Sequence, residues 1–296
     1  MFDIIIGRTP EDKETFGTRG TILIGKQFVK MGNTTSLSNP IYMDLTRSHV
    51  VFICGKRGGG KSYTMGVIAE GISDLPADIK QNIAVIMLDT MGIYWTMKYK
   101  NKQDEALVES WGMKPKELDI TIYTPTGFYK QYKEEGIPTD RPFAIRPAEL
   151  SSSDWFMTFG IEKNSPEAIL VERVIASLKE KNIEYSLDDI LANIREDKKA
   201  PQNSKDAAEN MFMAAKTWGL FDINGTPLSQ IVKGGQVTVL DVSCYTTMSG
   251  ANELRALVIG LVAQKLFIKR MIAKKFEEFQ EVHETMHYIA DEESSG

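Results

Sequence analysis

The sequence predicts an α/β fold: a mostly parallel sheet around a glycine-rich loop, with a small N-terminal β-barrel-like module and a helical insertion. Three observations predict it. An apolar run at residues 50–54 leads into Gly55-Lys56-Arg57-Gly58-Gly59-Gly60-Lys61-Ser62 and then a helical pattern, which is G-x-x-x-x-G-K-S in a strand–loop–helix setting. Further short apolar runs end in an acid, at Asp89, Asp241 and Asp291, as strands buried on both faces do when they reach a site-bearing edge. Between them, from residue 151 to 221, apolar residues recur at three-to-four spacing, the period of helices.

Taken in order, residues 1–48 have strand character. Ile4-Ile5-Ile6, Thr21-Ile22-Leu23-Ile24, Phe28-Val29 and Ile41-Tyr42 are separated by Gly, Asn, Ser and Pro. Residues 49–150 carry the first part of the core: the loop and its helix, a strand over 83–88, and another over 120–123. Residues 151–222 form the helical insertion. Ala168, Leu170, Val171, Val174, Ile175 and Leu178 make one stripe. Leu187, Ile190, Leu191 and Ile194 make a second; Ala207, Met211, Ala214 and Ala215 make a third. Ser165-Pro166-Glu167 starts the first helix, and Ser186 with Asp189 three residues on caps the second. Residues 223–296 return to the core with a strand over 237–240, an apolar helix over 252–276, and a last strand over 287–290.

Composition bounds the rest. The 296 residues are 42% hydrophobic and 25% charged, which suits a globular chain large enough for one core or a core and a satellite. Lys265 interrupts the longest apolar helix, so no membrane span is expected. Met1-Phe2-Asp3 lacks the basic start of a secretory signal, and two cysteines cannot staple a fold, so a cytoplasmic protein with reduced thiols is expected, Cys54 inside a core strand. The net charge of −5 gives no global attraction for nucleic acid; any such binding must use locally concentrated Lys and Arg.

The loop needs each of its residue types. Gly55, Gly58, Gly59 and Gly60 let successive N–H groups point inward at phosphate oxygens. The helix behind them adds its positive end. Lys61 can reach β- and γ-phosphates of ATP, and the Ser62 hydroxyl is a natural Mg²⁺ ligand. Arg57, Tyr63 and Asp89 complete the candidate nucleotide contacts. Such a site also needs a carboxylate at a strand tip to hold Mg²⁺, and a base beside it. Only Asp291-Glu292 supplies both in succession, so Asp291 is the expected metal carboxylate and Glu292, with Lys61, the expected catalytic group; Asp241 stays open as an alternative.

A guanine-nucleotide reading fails. Asp89-Thr90-Met91-Gly92 fits D-x-x-G and Asn101-Lys102-Gln103-Asp104 fits N-K-x-D, but the eleven residues between Asp89 and Asn101 cannot hold a crossover and a further buried strand.

With these motifs in order, the chain resembles the HerA branch of the HerA/FtsK superfamily of P-loop (RecA/FtsK-like) DNA-pumping ATPases. The cues are the β module, His49-Val-Val-Phe-Ile-Cys-Gly-Lys-Arg-Gly-Gly-Gly-Lys-Ser, Leu88-Asp89-Thr-Met-Gly-Ile-Tyr94 (similar to D-P-H-G-E-Y, without its Pro and His), Gly219-Leu220-Phe221, Val237-Thr-Val-Leu-Asp241 and Ile289-Ala290-Asp291-Glu292. The resemblance implies a homo-hexameric ring that moves double-stranded DNA, acting in end processing or repair with a NurA-type nuclease. It maps the Walker A pair onto Lys61 and Ser62 and the Walker B pair onto Asp291 and Glu292. It also implies a trans-acting arginine, for which Arg141, Arg146 and Arg255 qualify. Members continue further past the Walker B pair than Gly296, so a shortened end is expected. The competing class is a non-motor ATP-binding switch or assembly scaffold. Lys98, Lys100 and Lys102, interleaved with Tyr94, Trp95 and Tyr99, are the candidate DNA contacts. Lys269, Arg270, Lys274 and Lys275 are read as cations closing a helix, and His49, His283 and His287 as structural.

Overall fold

The computed structural model describes residues 2–181, 184–248 and 251–294; for Met31, 251–253, Glu281 and 283–294 it describes the backbone alone. The chain divides into two compact units, Met1–Phe143 with Ser229–Asp241, and Ala144–Leu228 with Val242–Gly296.

The first unit holds two sheets. β1 (Ile4–Ile6), α1 (Pro10–Phe16), β2 (Thr21–Met31) and β3 (Thr34–Asp44) open it. Apolar periodicity shows no sign of α1, which rests on a Thr9 cap and Pro10 in its first turn. β2 and β3 pair antiparallel and β1 joins β3 in parallel, giving the order β1-β3-β2. The helix behind the loop, α2 (Lys61–Ser73), lies against β2: a Cβ on Gly71 would fall 2.9 Å from the Ile22 Cβ, so only glycine permits this approach. α3 (Ala77–Lys80) leads to β4 (Val85–Asp89), a 3₁₀ turn (Tyr94–Lys98) and α4 (Glu105–Ser110). β5 (Ile120–Pro125), α5 (Thr126–Glu134), β6 (Arg141–Phe143) and, after the helical segment, β7 (Val237–Asp241) complete the unit.

The second sheet is all parallel in the order β4-β7-β5-β6. Its core is Ala69, Met87, Tyr94, Ile120, Ile122, Val237 and Val239, with Trp95 packed at the margin. Every residue of β7 is buried, as expected of a parallel strand covered on both faces. Parallel register sets Asp89 opposite Asp241, so two carboxylates share one edge of the sheet.

Two expected strands do not form. Residues 50–54 belong to no strand, Val50 and Phe52 are 102% and 87% exposed, and Cys54 is exposed as well. An apolar run becomes a strand only where a neighbour completes its hydrogen bonds, and no described strand pairs with this one. Residues 287–290 instead continue a helix, because from Leu261 onward no Gly or Pro interrupts a run rich in Lys, Glu, Ala and Met. Asp291 and Glu292 therefore lie on helical backbone, and their side chains fall outside the described residues.

The second unit is helical: α6 (Ser152–Phe159), α7 (Pro166–Glu180), α8 (Leu187–Glu196), α9 (Gln202–Thr217) and, later, α11 (Ala251–Ser294); the short α10 (Leu228–Ile231) begins at this unit's last residue before β7 and falls otherwise in the first unit. Ser151 with Asp154 and Ser186 with Asp189 form complete capping boxes, and Ser165 caps α7. The stripes of α7 and α8 are buried as predicted. That of α9 is rotated by one residue, to Ser204, Ala208, Phe212 and Ala215, because Phe212 enters an aromatic cluster with Trp155 and Phe159, ring centroids 4.9 and 5.0 Å away.

Candidate nucleotide site

The loop of residues 55–60 is exposed and lies between β3 and α2 in sequence. Gly58 and Gly60 have φ of 75° and 79°, in the left-handed region, and nothing lies within 4 Å of where a Cβ on either would sit. These two positions need glycine for the backbone turn and leave open space on the concave side. A Gly59 N–H bond to the Lys56 carbonyl, 3.0 Å, closes the turn. Gly60 is the N-cap of α2 and supplies no side-chain cap. A helix's first N–H groups have no partner within it, so the start of α2 carries donors and a positive end next to the open loop. That is a cradle for phosphate oxygens.

Lys61 crosses the mouth of this space. Its Nζ donates to the carbonyl oxygens of Gly55 and Lys56 at 3.0 and 2.8 Å. Both bonds are to loop backbone, so the ammonium is held beside the cradle and away from the core. Ser62 and Tyr63 follow on the exposed first turn of α2, and Arg57 is exposed on the loop. The residues present thus fit a triphosphate, with Lys61 as its cation and Ser62 as the hydroxyl for a divalent metal.

Asp89 has a task the sequence did not disclose. Its Oδ1 accepts the N–H groups of Met91 and Gly92 at 3.0 and 2.8 Å, and its Oδ2 those of Ile93 and Tyr94 at 2.8 and 2.9 Å. A carboxylate offers about four acceptor positions, and all four are occupied. Asp89 therefore knots residues 90–94 around itself instead of facing a ligand. Gly92, at φ 64°, allows the turn, which accounts for the D-x-x-G spacing. The knot aims Tyr94 at the nucleotide loop's helix: its hydroxyl donates to the Ser62 carbonyl at 3.3 Å and lies 3.5 Å from Met65 Sδ. Burial, with a smaller push from Asp89, raises the Tyr94 hydroxyl above its usual range, so it stays a donor. Tyr94 is the site residue that sequence reasoning passed over, although it closes the Leu88–Tyr94 motif. Asn101 and Asp104, the other half of the G-protein match, bond to each other at the start of α4, whose N-cap position Asp104 occupies.

Asp241 is 5% exposed at the tip of β7. Lys98, a candidate DNA contact, is committed to an ion pair, its Nζ 2.6 Å from both Asp140 oxygens. Lys100 and Lys102 are exposed. Of the candidate arginines, Arg146 is held by Glu149 and Glu184, at 3.1 and 3.3 Å, Arg255 donates to Thr246, and Arg141 is exposed at the start of β6. Arg270 and Lys274 pair with Glu277 and Glu278 in mid-helix, so they do not close α11. Among the described residues no group of His, Cys, Asp and Glu could hold a metal by itself, and no helix is long and apolar enough to cross a membrane.

An all-parallel sheet, a glycine cradle with Lys and Ser at a helix start, and an aspartate-knotted turn against that helix define a P-loop ATPase domain of the HerA/FtsK type. The sequence model of the family described as "Helicase HerA, central domain" matches residues 29–259, more than three quarters of the chain, and the chain belongs to that family. The match ends within α11, before Asp291. Among curated proteins no match is found.

Proposed function

We propose that this chain is the ATP-hydrolysing part of a motor that moves along double-stranded DNA as a homo-hexameric ring, in end processing or repair beside a NurA-type nuclease. The observation that carries the nucleotide half is the open glycine cradle with Lys61 at its mouth. Membership of the HerA family supports the motor half. In this reading the loop amides and Lys61 bind the β- and γ-phosphates of ATP, and Ser62 with a strand-tip carboxylate holds Mg²⁺. Bound there, the metal would supply charge neutralisation while water attacks the γ-phosphorus and ADP leaves. Asp291 and Glu292 remain the proposed metal carboxylate and base, and Asp241 is the competitor that the described sheet offers.

A second reading, a non-motor ATP-binding switch or assembly scaffold, has one observation in its favour: residues 50–54 and 287–290 are not part of the sheet. ATP hydrolysis with and without duplex DNA, together with native mass with and without ATP, separates the two. The motor reading expects a ring on nucleotide binding and DNA-stimulated turnover. ATP binding by a monomer that DNA leaves unstimulated selects the switch.

A further inference from the structure

Between β3 and the loop the chain runs through residues 45–54 without a strand partner, but it is tied to the N-terminal module by the Leu45 N–H on the Gly20 carbonyl at 3.0 Å, by Arg47 on Asp12 at 2.8 Å and, nearest the loop, by His49. His49 Nε2 lies 3.0 Å from Asp44 Oδ2. The same carboxylate takes two bonds from Arg8, Nε at 2.9 Å and Nη2 at 2.6 Å, and a hydroxyl bond from Thr46 at 2.8 Å. Arg8 and Asp44 side chains are both fully buried, and His49 is 25% exposed. Arg8 is itself anchored by the carbonyls of Gly17 and Arg19, at 2.6 and 2.8 Å. Burial alone would raise the Asp44 carboxyl, but the bonds from His49, Arg8 and Thr46 outweigh it and hold the group well below the usual carboxylate range.

Two glycines make the space. A Cβ on Gly7, at φ 88°, would fall 2.7 Å from His49 Cε1, and one on Gly20, at φ 73°, would fall 2.8 Å from Thr46 Cγ2. Arg8 gives both its bonds to Oδ1, so Oδ2 is partnered by Thr46, at 3.0 Å, and by His49. What the imidazole adds is a tie between that module and the chain six residues before Gly55. On the far side of the loop, α2 is tied to the same module through Gly71 and Ile22.

We propose that His49 is a positioning residue for nucleotide binding: its bond to the Arg8–Asp44 pair fixes the entry to the phosphate loop, as α2 packing on β2 fixes the exit. Holding the entry lowers the ordering cost that phosphate binding otherwise carries. The proposal rests on the nucleotide-site reading above.

The test compares the whole chain with His49→Ala, His49→Gln, Gly7→Ala and Lys61→Ala, titrated with a fluorescent ATP analogue and Mg²⁺. Arg8 and Asp44 are left intact, because removing either strands a buried charge and endangers the fold. His49→Ala is expected to weaken binding roughly fivefold or more, equivalent to about 1 kcal/mol, and to lower the melting point of the free protein by a few degrees, because one bond to the buried Asp44 carboxylate is lost. His49→Gln, which keeps an N–H donor for Asp44, should recover most of both losses, and Gly7→Ala, which crowds the ring and also strains the backbone at φ 88°, should weaken binding with a larger fall in melting point. Amide exchange across residues 50–60, measured without nucleotide, should quicken in His49→Ala and not in His49→Gln. Unchanged affinity and exchange in His49→Ala overturn the proposal, as does a loss that glutamine fails to rescue and that follows the melting point. A parent chain that binds the analogue no better than Lys61→Ala overturns the nucleotide site instead, and the exchange comparison then decides on the tie alone.

Discussion

Lys61 bonds to the carbonyls of Gly55 and Lys56, on an exposed loop. Lys61→Ala is therefore expected to abolish tight ATP binding and turnover while shifting the melting point by no more than about 2 °C. Calorimetric titration and a thermal melt on one sample check both halves. Asp89 is the opposite case. In Asp89→Asn one oxygen keeps its two N–H partners, but the new NH₂ faces the other two donors. Hydrogen bonds to a charged group carry about 1.5–3 kcal/mol each, two are lost, and an opposed donor adds its own cost, so a loss of at least about 3 kcal/mol in urea unfolding is expected. A loss below about 0.5 kcal/mol would show that the turn does not depend on the carboxylate. The glycines, Lys61 and Ser62 were legible because a phosphate loop demands those residue types at that spacing. Asp89 was not. A carboxylate filled by four nearby N–H groups looks, in sequence, the same as one waiting for a ligand.

Elements with their own start and stop signals were legible, and elements that depend on a distant partner were not. α7 and α8 carry serine caps and complete apolar stripes, so local sequence alone places them. Residues 50–54 and 287–290 are apolar enough for strands, but a strand exists only with a neighbour, which no local pattern encodes. Between α7 and the end of α8, Arg173 donates to both oxygens of Asp197, at 2.7 and 2.9 Å, and the Lys199 and Ala200 N–H groups add two bonds of 2.8 Å. Arg173, first among these, holds the Asp197 carboxyl well below the usual range against an opposing push from burial. A depressed folded-state value means the stabilisation is complete above the unfolded carboxyl's value of about 4 and fades as pH falls toward the folded one. Asp197→Asn should thus cost about 1–3 kcal/mol at neutral pH, and the gap between parent and variant should narrow below about pH 4. Urea melts of both proteins at the two pH values check it, and an equal gap at both would rule out the ion pair as its source. The carboxylate question is also one of elements. If Asp291-Glu292 serves the site, Glu292→Gln should bind ATP and hydrolyse it ~10²–10⁴ times more slowly, since an amide cannot accept the proton. If Asp241→Asn blocks hydrolysis and Glu292→Gln does not, the tip of β7 holds that role.

At the scale of the whole molecule, the family was legible from its motifs taken together, and the family match over residues 29–259 bears that resemblance out. DNA contacts were not legible, because lysines near aromatics serve packing and ion pairs as readily as phosphates. Lys98 illustrates this: its pair with Asp140 makes it part of the fold, and neutralising it would leave that carboxylate without its cation. The test of DNA binding therefore falls on Lys100 and Lys102, which are exposed. A chain of net charge −5 gives a monomer little electrostatic reason to bind a polyanion. A ring changes this by bringing several copies of one small basic segment onto a single duplex. Lys100→Gln with Lys102→Gln should weaken binding of the assembled protein on all DNA sequences alike. The slope of log affinity against log salt should flatten by about 0.9 for each DNA phosphate that is no longer neutralised. Fluorescence anisotropy on a labelled duplex, at several salt concentrations and with ATP present, measures that slope. An unchanged slope removes this segment from the DNA path, and tight, salt-sensitive binding by isolated monomers would remove the need for a ring.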